Sequence, residues 1–235
     1  MGERPGHGVA RERQYHGQKG QDRWIVEEVF PGKRGGFFVD LAATDGIKLS
    51  NTYVLEKRFG WTGIAIEPNP DSFALLRQNR SCICVNACID GDFGKVEFLP
   101  NDGHGGIVAD DTDNSPAMRA GRIEEWRAAG RTLVLDAYPL AEILRLHAAP
   151  RAIDFFSLDV EGSETRILRT FPFDEYRFLA MCIERPTPEL NALLFRHGYL
   201  FVRNVNFDTF YVHQSIFGAT KLRLEPFEQI PPKDF

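Results

Sequence analysis

Acidic residues close four apolar runs of this 235-residue chain, and they are the residues best placed to do chemistry. Phe-Phe-Val-Asp-Leu-Ala-Ala-Thr-Asp-Gly, residues 37–46, sets Asp40 and Asp45 around a small-residue turn. Ile-Ala-Ile leads into Glu67-Pro68, Phe-Phe-Ser-Leu into Asp159 and Glu161, and a further run from residue 178 into Glu184. A strand, a tight turn, a helix and a second strand ending in a carboxylate make half of a nucleoside-binding crevice. Small residues let the backbone approach the ligand, and the carboxylate accepts hydrogen bonds from ribose hydroxyls. Any one of these acids could cap the helix that follows it. Four at one sheet edge repel one another, which calls for a cationic or hydrogen-bonding partner.

Two ligand classes share this pattern. A nicotinamide dinucleotide needs Gly-x-Gly-x-x-Gly, whose amides cradle a pyrophosphate at a helix start. After Val39 the chain offers only Gly46. S-adenosylmethionine (SAM) has no phosphate, so one glycine beside alanines suffices. Asp40 and Asp45 would repel a pyrophosphate but suit a sulfonium and an amino group, so the residues favour SAM. An acceptor hydroxyl would also need help in losing its proton. Asp159 and Glu161 stand two apart at a strand end, where alternation aims both one way, and Glu184 arrives from a neighbouring strand. His104, flanked by glycines in Asp-Gly-His-Gly-Gly, is another candidate base. A second reading has Asp159 and Glu184 hold a divalent ion such as Mg²⁺, although no specific motif supports one and no dedicated metal site is assigned.

The elements that must position these groups alternate. A helix is expected over 21–30 and strands at 37–41, 62–66, 82–86, 153–159 and 178–184. Helices fall between them at 51–59, capped by Ser50 or Asn51, and at 70–79, 140–147, about 164–170 and 188–197. Residues 199–203 and 209–213 form a terminal hairpin. The expected fold is therefore α/β: a doubly wound, mostly parallel seven-stranded sheet with an antiparallel C-terminal hairpin. Residues 95–99 read as a strand of a β-excursion and 132–135 as another short strand. Residues 1–20 read as a flexible arm, 21–235 as a single domain, and the Gly/Asp-rich stretch near 101–118 as a mobile loop over a substrate site.

Bulk properties narrow the field. With 43% apolar and 26% charged residues, global disorder is excluded. A net charge of −5 argues against a general nucleic-acid binder. The four cysteines contain no Cys-x-x-Cys pair, which disfavours structural zinc and suits small reduced core residues. No uncharged apolar run reaches the ~18 residues of a membrane span, and the charged N-terminus does not read as a secretory signal. A cytoplasmic protein acting on a small molecule or glycan is the expectation; the sequence says nothing of oligomeric state.

Several segments resemble the FkbM family of SAM-dependent methyltransferases. They are Gly-Gly-Phe-Phe-Val-Asp-Leu-Ala-Ala-Thr-Asp-Gly, Leu-Ser-Asn-Thr-Tyr-Val-Leu-Glu, Gly-Trp-Thr-Gly-Ile-Ala-Ile-Glu-Pro-Asn-Pro and Ile-Asp-Phe-Phe-Ser-Leu-Asp-Val-Glu-Gly-Ser-Glu. The glutamine-rich lead-in at 14–22 is similar too. The resemblance spans roughly residues 14–213 and implies a Rossmann-like class I methyltransferase fold. It also implies SAM as cofactor, S-adenosylhomocysteine as product, and methylation of a hydroxyl on a sugar, glycan or natural product. Asp40, Ala42, Ala43, Thr44, Asp45 and Gly46 match the first cofactor loop, with Ser50 and Asn51 following. Glu67 matches the ribose-binding acid, with Pro68 beside it. Asn86, Ala87 and Cys88 match the turn near the adenine, and Asp159, Glu161 and Glu164 match the Asp-x-Glu-Gly-x-Glu signature. The family usually has glycine where this chain has Ala42. That departure keeps a non-catalytic nucleoside-binding module open as an alternative, beside a nucleotide-dependent oxidoreductase.

Overall fold

A computed structural model describes residues 15–101, 104–117, 119 and 121–233. Seven strands form the main sheet: β1 (Phe37–Leu41), β2 (Thr62–Ile66), β3 (Ile83–Val85), β8 (Ala152–Leu158), β9 (Arg177–Glu184), β10 (Tyr199–Val205) and β11 (Asp208–His213). Their order is β10-β11-β9-β8-β1-β2-β3. The five strands from β3 to β9 run parallel, and β11 enters antiparallel between β9 and β10. This is the doubly wound sheet with a reversed hairpin that the alternation of elements predicts.

Strand alternation splits the core into two layers. Val39, Ile64, Phe156 and Met181 face α5 (Leu140–Leu146), α6 (Glu164–Arg169) and α7 (Pro188–Arg196). Phe38, Phe155, Ala180 and Phe210 face Trp24, Ile25, Leu55 and Trp61. Those residues belong to α1 (Gln21–Trp24), the π-turn that continues it over Ile25–Val29, and α2 (Tyr53–Phe59) with its exit. The expected single helix over 21–30 thus widens after one turn, closing through Phe30 N donating to Ile25 O. Between β2 and β3, α3 (Pro70–Asn79) starts on a proline with Asn69 Oδ1 accepting from Asp71 N.

The excursion after β3 is larger than the sequence suggests. Strands β4 (Cys88–Ile89), β5 (Gly94–Leu99), β6 (Gly106–Ile107) and β7 (Leu133–Tyr138) form a second sheet in the order β4-β7-β5-β6, with α4 (Arg122–Ala128) between β6 and β7. Two-residue strands carry no readable period, so β4 and β6 had no signal.

Of the arm expected over 1–20, residues 1–14 lie outside the described residues. His16 N and Gly17 N donate to Asp22 Oδ2, and His16 Nδ1 bonds Ile47 O. The loop near 101–118 includes three positions outside the described residues (102, 103 and 118). In its remainder Thr112 Oγ1 donates to Ile107 O, and Asp113 N donates to Glu161 O. After the last helix, α8 (Gln214–Phe217), residues 221–233 cross the surface without regular structure. Among the described residues, no helix is long and apolar enough to cross a membrane.

Candidate active site

The turn after β1 is built around a buried cation. Asp40 Oδ2 accepts from Thr52 Oγ1 at 2.6 Å, and Thr52 Oγ1 accepts from Arg80 at 3.0 Å. The Arg80 side chain is fully enclosed, pairs with Glu56 at 2.7 Å and donates to Gly46 O. Burial pushes the Asp40 carboxyl above its ordinary range, with Thr52 and Arg80 opposing. Asp40 therefore anchors the loop 42–52 from beneath. Asp45 acts locally, accepting from Ile47 N and Lys48 N. Ser50 Oγ accepts from Thr52 N and Tyr53 N, but the N-cap position of α2 falls to Thr52 and not to Ser50 or Asn51 as expected, with the Thr52 hydroxyl taken by Asp40. Gly46 is obligatory: at φ +78°, a Cβ there would meet Leu76 and Arg80 at 2.6–2.7 Å.

Ala42 occupies the left-handed region at φ +58°. That conformation explains why glycine suits the position, and a side chain there costs about 1 kcal/mol. Ala42→Gly is expected to leave the fold intact and to bind SAM equally well or better, with stability unchanged or raised by up to about 1 kcal/mol. Relief of strain and the added freedom of the unfolded chain oppose each other. Calorimetric titration beside chemical denaturation measures both; a large loss of affinity would show that the loop is built differently.

Glu67 lies at the end of β2, 5% exposed, with Oε2 accepting from Thr44 N and Oε1 from Asn69 N, both at 2.8 Å. Burial pushes its carboxyl up to about 7, and the two amides only partly offset this. Each oxygen keeps a second lone pair for a ligand hydroxyl. Asn86 Nδ2 donates to the Glu67 and Pro68 carbonyls, fixing this turn. Ala43 is buried against Ala65 and Leu76 beneath the loop. Ala42, Pro68, Ala87 and Cys88 line a crevice with Leu41, Ile66, Ile107 and Val160. An apolar slot beside a carboxylate offers a ring face and a hydroxyl acceptor together. Asn51 Nδ2 donates to Ser157 Oγ, leaving its Oδ1 buried with no partner among the described residues.

The other half of the edge holds the acids of β8 and β9. Carboxylate oxygens of Asp159, Glu164 and Glu184 lie within 4.8 Å of one another. Asp159 presents surface to solvent, yet protein atoms crowd its carboxyl and Glu184 adds repulsion, so its pKa stands well above the ordinary range. Burial raises Glu184 and pushes Glu164 up to about 8. Shared burial and mutual repulsion favour retained protons on these acids. Glu164 Oε1 also accepts from Val160 N, so it is more than a helix-terminus acid.

Glu161 has left this trio for other partners. Its backbone sits at φ +55°, its Oε1 lies 3.2 Å from His104 Nδ1, and its Oε2 accepts from Lys233 Nζ at 2.7 Å. His104 is exposed at the mouth, its side chain 72% accessible. The structure thus gathers Asp159, Glu161, Glu184 and His104, and adds Glu164, Asp113 and Lys233. The Asp-x-Glu-Gly-x-Glu spacing carried a signal for Glu164. Nothing marked Lys233, which reaches the site from 72 residues away in sequence.

The profile described as Methyltransferase FkbM domain matches residues 40–207. The fold is similar to a methyltransferase FkbM from Methylobacillus flagellatus KT, at 14% identity and a TM-score of 0.46 over 82% of this chain and 50% of that one. The chain thus spans half the length of that protein. It is also similar to M. capricolum TrmK in complex with S-adenosyl-homocysteine, at 10% identity and TM-score 0.39 over 88% and 68% of the two chains. A sugar N-methyltransferase, KedS8 from Streptoalloteichus sp., follows at 12% identity and TM-score 0.34 over 78% and 58%. No curated protein matches the sequence. The Asp40–Gly46 turn, Glu67 and the Asp159–Glu164 signature all fall inside the matched span, and the chain belongs to the FkbM methyltransferase family.

Proposed function

We propose that this chain methylates a hydroxyl of a sugar, glycan or natural product, with SAM as donor. The observation that carries this reading is the Glu161–His104 contact, next in sequence to Val160 and Gly105 of a crevice that Ile66 and Pro68 line on either side of Glu67. The residues fit the cofactor: Glu67 keeps lone pairs for ribose hydroxyls, the slot between Ile66, Cys88 and Val160 takes a flat ring, and the orphaned Asn51 Oδ1 offers an acceptor near the end of β1. When bound, SAM supplies an electrophilic methyl group on its sulfonium. The protein's own work is alignment and proton removal. Glu161 accepts from His104 Nδ1, which leaves Nε2 as a lone-pair base for an acceptor hydroxyl. Asp159 and Glu184 stand at the neighbouring strand ends, where their raised pKa values favour protonated carboxyls that can donate a hydrogen bond.

The test is transfer of a labelled methyl group from SAM to a panel of sugars, amino sugars and polyhydroxylated small molecules. Label incorporated into a hydroxyl, with equimolar S-adenosylhomocysteine, supports the reading. Transfer confined to amines across the panel contradicts the choice of oxygen.

A further inference from the structure

The strap 221–233 lies wholly beyond the span matched by the family profile, yet it is fastened along its length. Glu225 N donates to Val202 O and Asn204 Nδ2 to Glu228 O. Gln229 Nε2 donates to Pro186 O, Arg185 to Pro231 O, and Ile230 is buried. These bonds carry the strap from β10 across the end of β9 to the acid cluster. There Lys233 Nζ donates to Glu161 Oε2 at 2.7 Å and to Asp113 Oδ2 at 3.0 Å. Asp113 N in turn donates to Glu161 O at 3.1 Å. Strap, loop and strand end therefore meet on one ammonium.

We propose that Lys233 is a positioning residue for the base: its ammonium holds the Glu161 carboxylate in the orientation that fixes His104. This rests on the reading of His104 as the proton acceptor. The Glu161 side chain is 7% accessible and stands between Asp159 and Glu164 in sequence, on a strained turn at φ +55°. A buried carboxylate among other acids needs a counter-charge to keep both its charge and its direction. Lys233 engages one oxygen, which turns the other to His104 Nδ1. The His104 ring is mostly in solvent, so its orientation depends on that contact. Burial alone would lower the Lys233 ammonium, but Glu161 and Asp113 outweigh it and hold the group above its ordinary value. The pair is only partly exposed, so water screens it less than a surface pair.

Nitrogen-15 NMR of the histidine-labelled 235-residue chain, at a pH where the rings are neutral, tests this without any acceptor. The His104 signal is identified by its loss in His104→Gln. In the wild type it reports Nδ1–H with a bare Nε2. Lys233→Met is expected to abolish that signature, moving His104 to the Nε2–H form while the other histidines stay put. Lys233→Arg is expected to keep it. Glu161→Gln separates the layers of the argument. If it moves His104 and Lys233→Met does not, the inference about Lys233 is overturned and the His104 reading survives. If neither moves His104, both fall. Histidine signals moving together in Lys233→Met, without rescue in Lys233→Arg, would make Lys233 a general structural anchor and overturn its positioning role.

Discussion

Glu161→Gln and His104→Gln each lower methyl transfer by about 10²–10⁴-fold, the usual scale of general acid–base help, while S-adenosylhomocysteine still binds. The two losses should not add. Glu161 acts through the ring it holds, so removing either member disables the same proton transfer, and the double variant should resemble the worse single one. Glutamine keeps the shape of Glu161 but offers His104 a weaker, uncharged acceptor. Asp159→Asn is a useful contrast. Burial and Glu184 raise its pKa well above the ordinary range, which favours the neutral acid, so replacing it with the neutral amide should cost less. Single-turnover rates with labelled SAM and an acceptor from the panel measure all four variants. Undiminished transfer in both Glu161→Gln and His104→Gln would move the base elsewhere along the acid edge.

Glu67→Ala weakens S-adenosylhomocysteine binding by about ten- to a hundredfold, equivalent to roughly 1.5–3 kcal/mol of charge-assisted hydrogen bonding. A pH dependence should accompany the loss. Burial pushes the free Glu67 carboxyl up to about 7, whereas accepting ribose hydroxyls favours the carboxylate. Binding therefore lowers this pKa and releases a proton. Affinity should rise as pH increases through 7 and level off above it, and the alanine variant should lose that slope. Calorimetric titration between pH 6 and 8, in buffers of different ionisation enthalpy, reads both quantities.

The main sheet was legible because its central strands are buried, rich in β-branched or aromatic residues, and closed by acids. Val39, Ile64 and Phe156 could belong to nothing but a covered parallel sheet. The turn after β1 was legible too, since Gly46 and Glu67 carry local constraints that spacing reveals. What spacing could not reveal were the contacts made across the chain. Arg80 reads as one more basic residue at a helix end, and only folding encloses it beneath the Gly46 turn. Lys233 reads as a polar tail residue, because its partners depend on where the strap is fastened. The acids of β8 and β9 were seen, but not their division of labour. Glu161 turns away from Asp159, Glu164 and Glu184 because its backbone adopts a left-handed conformation that no residue pattern announced.

The central claim is that the crevice between Glu67 and Val160 is a SAM site. Thermal and chemical unfolding of the wild-type chain with S-adenosylhomocysteine, and separately with NAD, tests it most directly. A ligand bound at 100 times its dissociation constant stabilises the native state by about 2.7 kcal/mol. S-adenosylhomocysteine is predicted to give a saturable stabilisation of this size that Glu67→Ala shifts to higher concentration, and NAD to give none. Stabilisation by NAD alone, or none with S-adenosylhomocysteine at millimolar concentration, would contradict the account.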